Sequence, residues 1–134
     1  MATRITPTGA APAAPDAAAR LRALGFSGTL RTDADFAHLT TYRLGGPIRL
    51  LAEPQTPDDL PAIGRFLTET GWPHLFIGGG TNLLASSRPY EGLVIRLGEG
   101  FKTIDRPSDT TLVVGGAAQT AALLKYCQRE VLGG

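Results

Sequence analysis

A single cysteine, Cys127, is the only thiol that 134 residues offer, so no internal disulfide is possible and a reducing cytoplasm is the expected setting. Charge of one sign is missing as well. Against 13 Lys and Arg stand 12 Asp and Glu, a formal net charge of +1, which argues against a basic clamp for nucleic acid. The chain has no apolar run of about 18 residues, so no membrane span is expected. Its N-terminus lacks the charged start, apolar core and small-residue cleavage site of a secretory signal. The two histidines, His38 and His74, lack a cysteine or acidic cluster at metal-ligand spacing; no metal site is expected, and both read as structural or exposed. Aromatics are sparse at 7%, yet hydrophobic residues reach 43%, enough for one core.

Glycine and proline are abundant: 17 and 10 residues, about a fifth of the chain against a background of about 12%. The glycines cluster, which points to special backbone sites. Residues 1–15 carry almost no large apolar side chain and read as a disordered leader. A short helix is expected from an Asp16 N-cap, with Ala17, Leu21 and Leu24 on one face and Gly25 as a left-handed stop. Ile48 to Ala52 reads as a strand. Thr56-Pro57-Asp58-Asp59 then opens a helix with Leu60, Ile63, Phe66 and Leu67 inward, although Pro61 shifts the true cap toward Asp58 or Asp59, acids that capping accounts for. His74 to Ile77 and Leu93 to Leu97 read as buried strands, completing a parallel βαβ arrangement. Beyond it, Phe101 to Ile104 and Thr111 to Val114 flank Arg106-Pro107-Ser108-Asp109, a hairpin turn by composition. A last helix capped by Thr120 is expected to turn Leu123, Leu124, Cys127 and Val131 inward. Trp72, between Gly71 and Pro73, is expected to seal a corner.

The most informative stretch is Ile77-Gly78-Gly79-Gly80-Thr81-Asn82-Leu83-Leu84, directly after a strand. Glycines permit backbone shapes that a Cβ forbids, and their N–H groups can converge on an anion. Thr81 and Asn82 add neutral donors suited to binding a phosphate without attacking it. No lysine follows in P-loop register, so nucleotide hydrolysis is not expected. The dinucleotide fingerprint fails too: Leu83 stands where it needs its third glycine, and Ser86-Ser87-Arg88-Pro89 reads as loop where a helix should open. On composition alone a plain tight turn serves as well as an anion site. A second pair, Gly115-Gly116 before Ala117, is read as a bulge or packing point slightly ahead of a ligand approach. Thr41-Tyr42-Arg43-Leu44-Gly45-Gly46-Pro47 is the third special segment.

Taken together and in order, these three segments and Gly92-Leu93-Val94-Ile95 resemble the UDP-N-acetylenolpyruvoylglucosamine reductase family, flavoenzymes of bacterial peptidoglycan precursor synthesis, over about residues 16–134. The resemblance implies an α+β fold: the start of an FAD-binding domain of the vanillyl-alcohol-oxidase or p-cresol-methylhydroxylase type. Its small parallel βαβ subdomain would occupy 16–100, and an antiparallel subdomain would begin at 101–134, cut short. It implies noncovalent FAD, with Gly78, Gly79, Gly80, Thr81, Asn82 and Leu83 at the pyrophosphate, Tyr42, Arg43, Gly45 and Gly46 beside the cofactor, and Gly115, Gly116 and Ala117 as a further backbone approach. In the family NADPH reduces the flavin and the UDP-sugar substrate is reduced in turn. None of the family's catalytic residues falls within these 134 residues, so the piece alone is expected to be inactive. The family usually has an acid where Ser86-Ser87 stands and a helix-ending glycine where Val131 stands. A stand-alone nucleotide- or FAD-binding module and another flavin oxidoreductase of the same fold are the alternative readings.

Overall fold

The computed structural model describes residues 12–133, so most of the expected leader lies outside the described residues. Helix α1 spans Ala14–Ala23, beginning before Asp16, which sits in the first turn instead of capping it; Ala13 is the N-cap and Pro15 occupies the first turn, where its missing N–H costs nothing. Gly25 has φ +96° and Phe26 N–H returns to the Leu21 carbonyl at 3.1 Å, closing the helix with the expected left-handed stop. Strand β1 (Thr29–Arg31) and the single turn α2 (Phe36–Leu39) follow, both too short to show periodicity. Strand β2 runs Ile48–Glu53.

A 3-10 turn at Pro57–Asp59 precedes helix α3, Leu60–Thr70. That offset resolves the position of Pro61: it falls in the first helical turn, where no intrahelical donor is lost. Gly71, at φ +62°, ends α3. Strands β3 (His74–Ile77) and β4 (Tyr90–Arg96) complete a four-stranded sheet ordered β1-β2-β4-β3. β4 lies between β2 and β3 and is parallel to both, whereas β1 is antiparallel to β2. β3 therefore sits at the sheet edge. Its burial differs from the expected interior strand: His74 and Phe76 are exposed, and only Ile77 is fully buried.

Apolar residues are buried on both sheet faces. α1 and α3 cover one, where Ala17, Leu21, Phe66 and Trp72 pack on Leu50, Ala52, Leu93 and Ile95. The other face collects Phe36, Leu39, Ile48, Leu51, Ile77 and Val94. Trp72 does seal a corner, edge-on to Phe66 at 5.4 Å between centroids and 2% exposed. One buried charge organises the α3 side. Asp59, 1% exposed, accepts from the N–H and hydroxyl of Ser27 (both 2.7 Å), and from the N–H groups of Gly28, Gln55 and Thr56. It is far more than a helix cap.

After β4 a 3-10 turn holds Glu99–Phe101, in place of the strand expected to start at Phe101. The hairpin follows as β5 (Ile104–Ser108) and β6 (Thr111–Val114), turning at Asp109-Thr110 instead of Arg106 to Asp109. Its pairing is irregular between Asp105 and Ser108, where Pro107 has no N–H to offer the ladder. Helix α4 spans Thr120–Arg129 with Gln119, not Thr120, as N-cap. None of its residues is buried, and Leu124 and Val131 are exposed, contrary to the inward face read from its periodicity. The apolar stripe is real, but among the described residues nothing covers it. Among those residues no helix is long and apolar enough to cross a membrane.

Candidate functional site

Because β2, β4 and β3 run parallel, their carboxyl ends share one edge of the sheet, the edge where open α/β sheets place ligands. At that edge β3 passes into Gly78, β4 ends at Arg96 opposite Ile77, and β2 ends at Glu53. The glycine loop therefore starts where a binding site is expected on topology alone.

Two hydrogen bonds join the loop to the segment upstream. Thr41 N–H donates to the Gly80 carbonyl at 3.1 Å, and Gly46 N–H donates to the Ser86 carbonyl at 2.8 Å. The glycines on this seam are needed for packing. Gly80 has φ +70°, and a Cβ on it would overlap the Leu39 carbonyl. Gly45 has φ +131°, and its Cβ would run into Phe36 and Ala85. Thr40, buried, spans the bend with its hydroxyl on the Leu44 carbonyl at 3.1 Å. Arg43 occupies the left-handed region at φ +51°, unusual for a residue with a side chain and a mark of a backbone shaped by its surroundings.

Gly78 and Gly79 differ from those seam glycines. Neither has a positive φ, and a Cβ on either would meet nothing within 4 Å. Among the described residues, no backbone N–H from Gly78 through Asn82 donates a hydrogen bond to the protein. The result is a run of unpaired donors that begins at two glycines, Gly78 and Gly79, that nothing in the fold requires to be bare. A cluster of such N–H groups attracts an anion, and the absent side chains let it come close. Thr81 and Asn82 are exposed beside it, while Leu83 packs partly into the second core face.

A cleft of about 730 Å³ adjoins the loop, lined by His38, Thr40, Thr41, Arg43, Gly79 and Arg96 among others. The loop itself frames a smaller hollow of about 240 Å³ from Phe76 to Leu83. Arg96 enters the cleft from the end of β4, held by Glu53, to which its Nε donates at 2.8 Å. Among the described residues no carboxylate pairs with Arg43. The His38 N–H donates to Asp35 Oδ1 at 2.9 Å, and this bond, with the contact of His38 Nδ1 at 2.6 Å, lowers the Asp35 carboxyl from its usual range. Tyr42, between the lining residues Thr41 and Arg43, is more than half exposed and does not itself line the cleft. Among the described residues no group of His, Cys, Asp and Glu is placed to hold a metal ion.

Sequence reading thus named the two segments that meet here but missed Arg96 and treated His38 as incidental. The signal for Arg96 was its position, a charge directly after the apolar run Leu93-Val94-Ile95 at the end of a parallel strand. Gly115, Gly116 and Ala117 are placed differently. Gly115 N–H donates to the Thr103 carbonyl and Ala117 N–H to that of Phe101. A Cβ on Gly115 would overlap the Phe101 carbonyl, so close packing accounts for that glycine.

Comparison with known proteins adds three facts. A family model described as FAD binding domain matches residues 48–133. The UDP-N-acetylenolpyruvoylglucosamine reductases of Pelobacter propionicus and Nitrosococcus oceani are 36% and 38% identical to this chain over 114 residues, which is 85% of the chain. That of Geobacter sulfurreducens is 35% identical over 117 residues. In each case the match spans 38% of the relative's length.

Proposed function

From the premise that this chain belongs to the FAD binding domain family, we propose that it forms part of the flavin site of a UDP-N-acetylenolpyruvoylglucosamine reductase and holds FAD noncovalently at the carboxyl edge of its parallel sheet. The observation that carries this is the bare, unpaired backbone of Gly78 and Gly79. Folding explains Gly45 and Gly80; a ligand that must approach the main chain explains the other two.

The residues fit a dinucleotide pyrophosphate. The N–H groups of Gly78 to Asn82 would hold its charge, with the Thr81 hydroxyl and Asn82 amide as neutral partners. Arg43 and the rest of the Tyr42 to Gly46 segment would flank the cofactor. Gly115, Gly116 and Ala117 would approach it only as backbone, from the part of the fold that begins near residue 101; residues 16–100 would form the first flavin-binding subdomain. When bound, FAD supplies hydride transfer, which in the whole reductase would run from NADPH to the enolpyruvyl group of the UDP-sugar. The protein's part at this edge is to bind and orient. Turnover is assigned to the complete enzyme, acting in the cytoplasm on a peptidoglycan precursor, because the match spans 38% of the relatives' length.

Titration of the purified 134-residue chain with FAD, followed by flavin fluorescence, tests this reading. Reversible, weak binding is expected, with all flavin released on denaturation. No change in flavin emission, or flavin retained by the denatured chain, would refute it.

A further inference from the structure

The Glu53 and Arg96 pair lies on the rim of the proposed site, and its geometry is unusual for a structural tie. Arg96 directs both Nε and Nη2 at one oxygen, Oε1 of Glu53. A guanidinium has five N–H donors. Among the described residues those on Nη1 and the remaining one on Nη2 have no acceptor. Glu53 is largely buried, whereas the Arg96 side chain is 38% exposed toward the cleft that also contains Gly79 and Arg43. Stapling strands is a weak explanation for the pair. β2 and β4 are already joined along a parallel ladder, Leu93, Val94 and Ile95 are fully buried there, and a partly exposed ion pair adds little to such a join.

We propose that Arg96, oriented by Glu53, is a ligand-binding residue that with Arg43 forms a cationic wall facing the glycine loop, and that this wall recognises the diphosphate of a dinucleotide. The inference rests on the flavin reading for the ligand's identity but adds a charge contact to a cradle otherwise made of neutral donors. Glu53 acts as a positioning residue. By accepting from one side of the guanidinium it fixes the plane of the fork and leaves the other side for phosphate oxygens, the bidentate geometry that lysine cannot reproduce.

The experiment compares FAD with riboflavin, which has the same ring system and no phosphate. In R96Q of the full chain, FAD affinity is expected to fall at least about tenfold, as for loss of a hydrogen bond to a charged group, with riboflavin binding unchanged and the salt dependence of FAD binding flattened. R96K should recover part of the loss, and E53Q should weaken FAD with the melting temperature held near wild type. Unchanged FAD affinity in R96Q overturns the proposal, as does an equal loss for FAD and riboflavin, the mark of a structural role. If the wild-type chain binds neither flavin, the flavin reading fails, and ADP, which carries the same diphosphate, decides the wall separately. ADP affinity that is equal in wild type and R96Q then overturns it.

Discussion

Asp59→Asn is the substitution whose consequence follows most directly from the structure. Burial alone would raise this carboxyl, but the Ser27 hydroxyl and the N–H groups of Ser27, Gln55 and Thr56 outweigh it and hold it at about 2, against an ordinary 3.8. That depression corresponds to about 2 kcal/mol of folding free energy. The folded carboxylate is harder to protonate than the unfolded one, so the contribution is complete above the unfolded pKa of about 4 and is lost as pH falls toward 2, with about half gone by pH 3. Asparagine keeps the shape and one carbonyl but turns an NH2 group toward N–H donors. With each unsatisfied buried donor costing about 1–3 kcal/mol, a loss of about 3–5 kcal/mol at pH 7 is expected. Urea denaturation of both proteins at pH 7, 5 and 3 measures it. The gap between them should narrow by about 1 kcal/mol between pH 5 and 3, since only the wild type has this proton to gain. A gap constant across that range, or below about 1 kcal/mol at pH 7, where an unsatisfied donor alone should cost that much, would refute the reasoning.

Three further outcomes follow from the loop and the last helix. Gly79→Ala should leave the melting temperature close to wild type, since open space surrounds the site, yet weaken FAD at least about tenfold if the backbone meets the ligand there; equal FAD affinity would contradict the assignment. Gly80→Ala should cost about 2–4 kcal/mol in denaturant unfolding, from the left-handed backbone and the overlap with the Leu39 carbonyl together. Val131→Gly should stabilise α4 by about 1 kcal/mol in a thermal melt read by circular dichroism. Val131 has φ +54° in a closing turn where Leu132 N–H reaches the Cys127 carbonyl at 2.8 Å, a left-handed position that a β-branched residue fills at a cost.

Sequence pattern was most legible where one side chain repeat dominates. The apolar face of α3 was read closely because Leu60, Ile63 and Phe66 repeat at helical spacing and Gly71 stops them. β1 and α2 left no trace, since three or four residues cannot show a period. The hairpin turn was misplaced because Pro107 looks like a turn residue, yet it is tolerated in an irregular two-stranded ladder. Phe101 was misassigned for a similar reason: an aromatic before Ile104 mimics a strand, while in three dimensions it is the buried end of a 3-10 turn. At the site, glycine clustering located both segments, but no local pattern distinguishes a glycine required by packing, such as Gly80, from one left bare, such as Gly79. That distinction exists only once Leu39 is beside the loop.

The seam between the two segments has a consequence for the order of events during synthesis. The cleft beside the glycine loop is lined by residues between Ala37 and Arg96, and its longest tie, Glu53 to Arg96, spans 43 residues. A chain made from its N-terminus has therefore completed this edge when β4 leaves the ribosome, before α4 or anything beyond it is available to pack. Cofactor capture by the growing chain can begin at this first sheet, before Gly115 to Ala117 close on it, and a nucleotide held there would tie together strands that folding would otherwise have to bring together unaided.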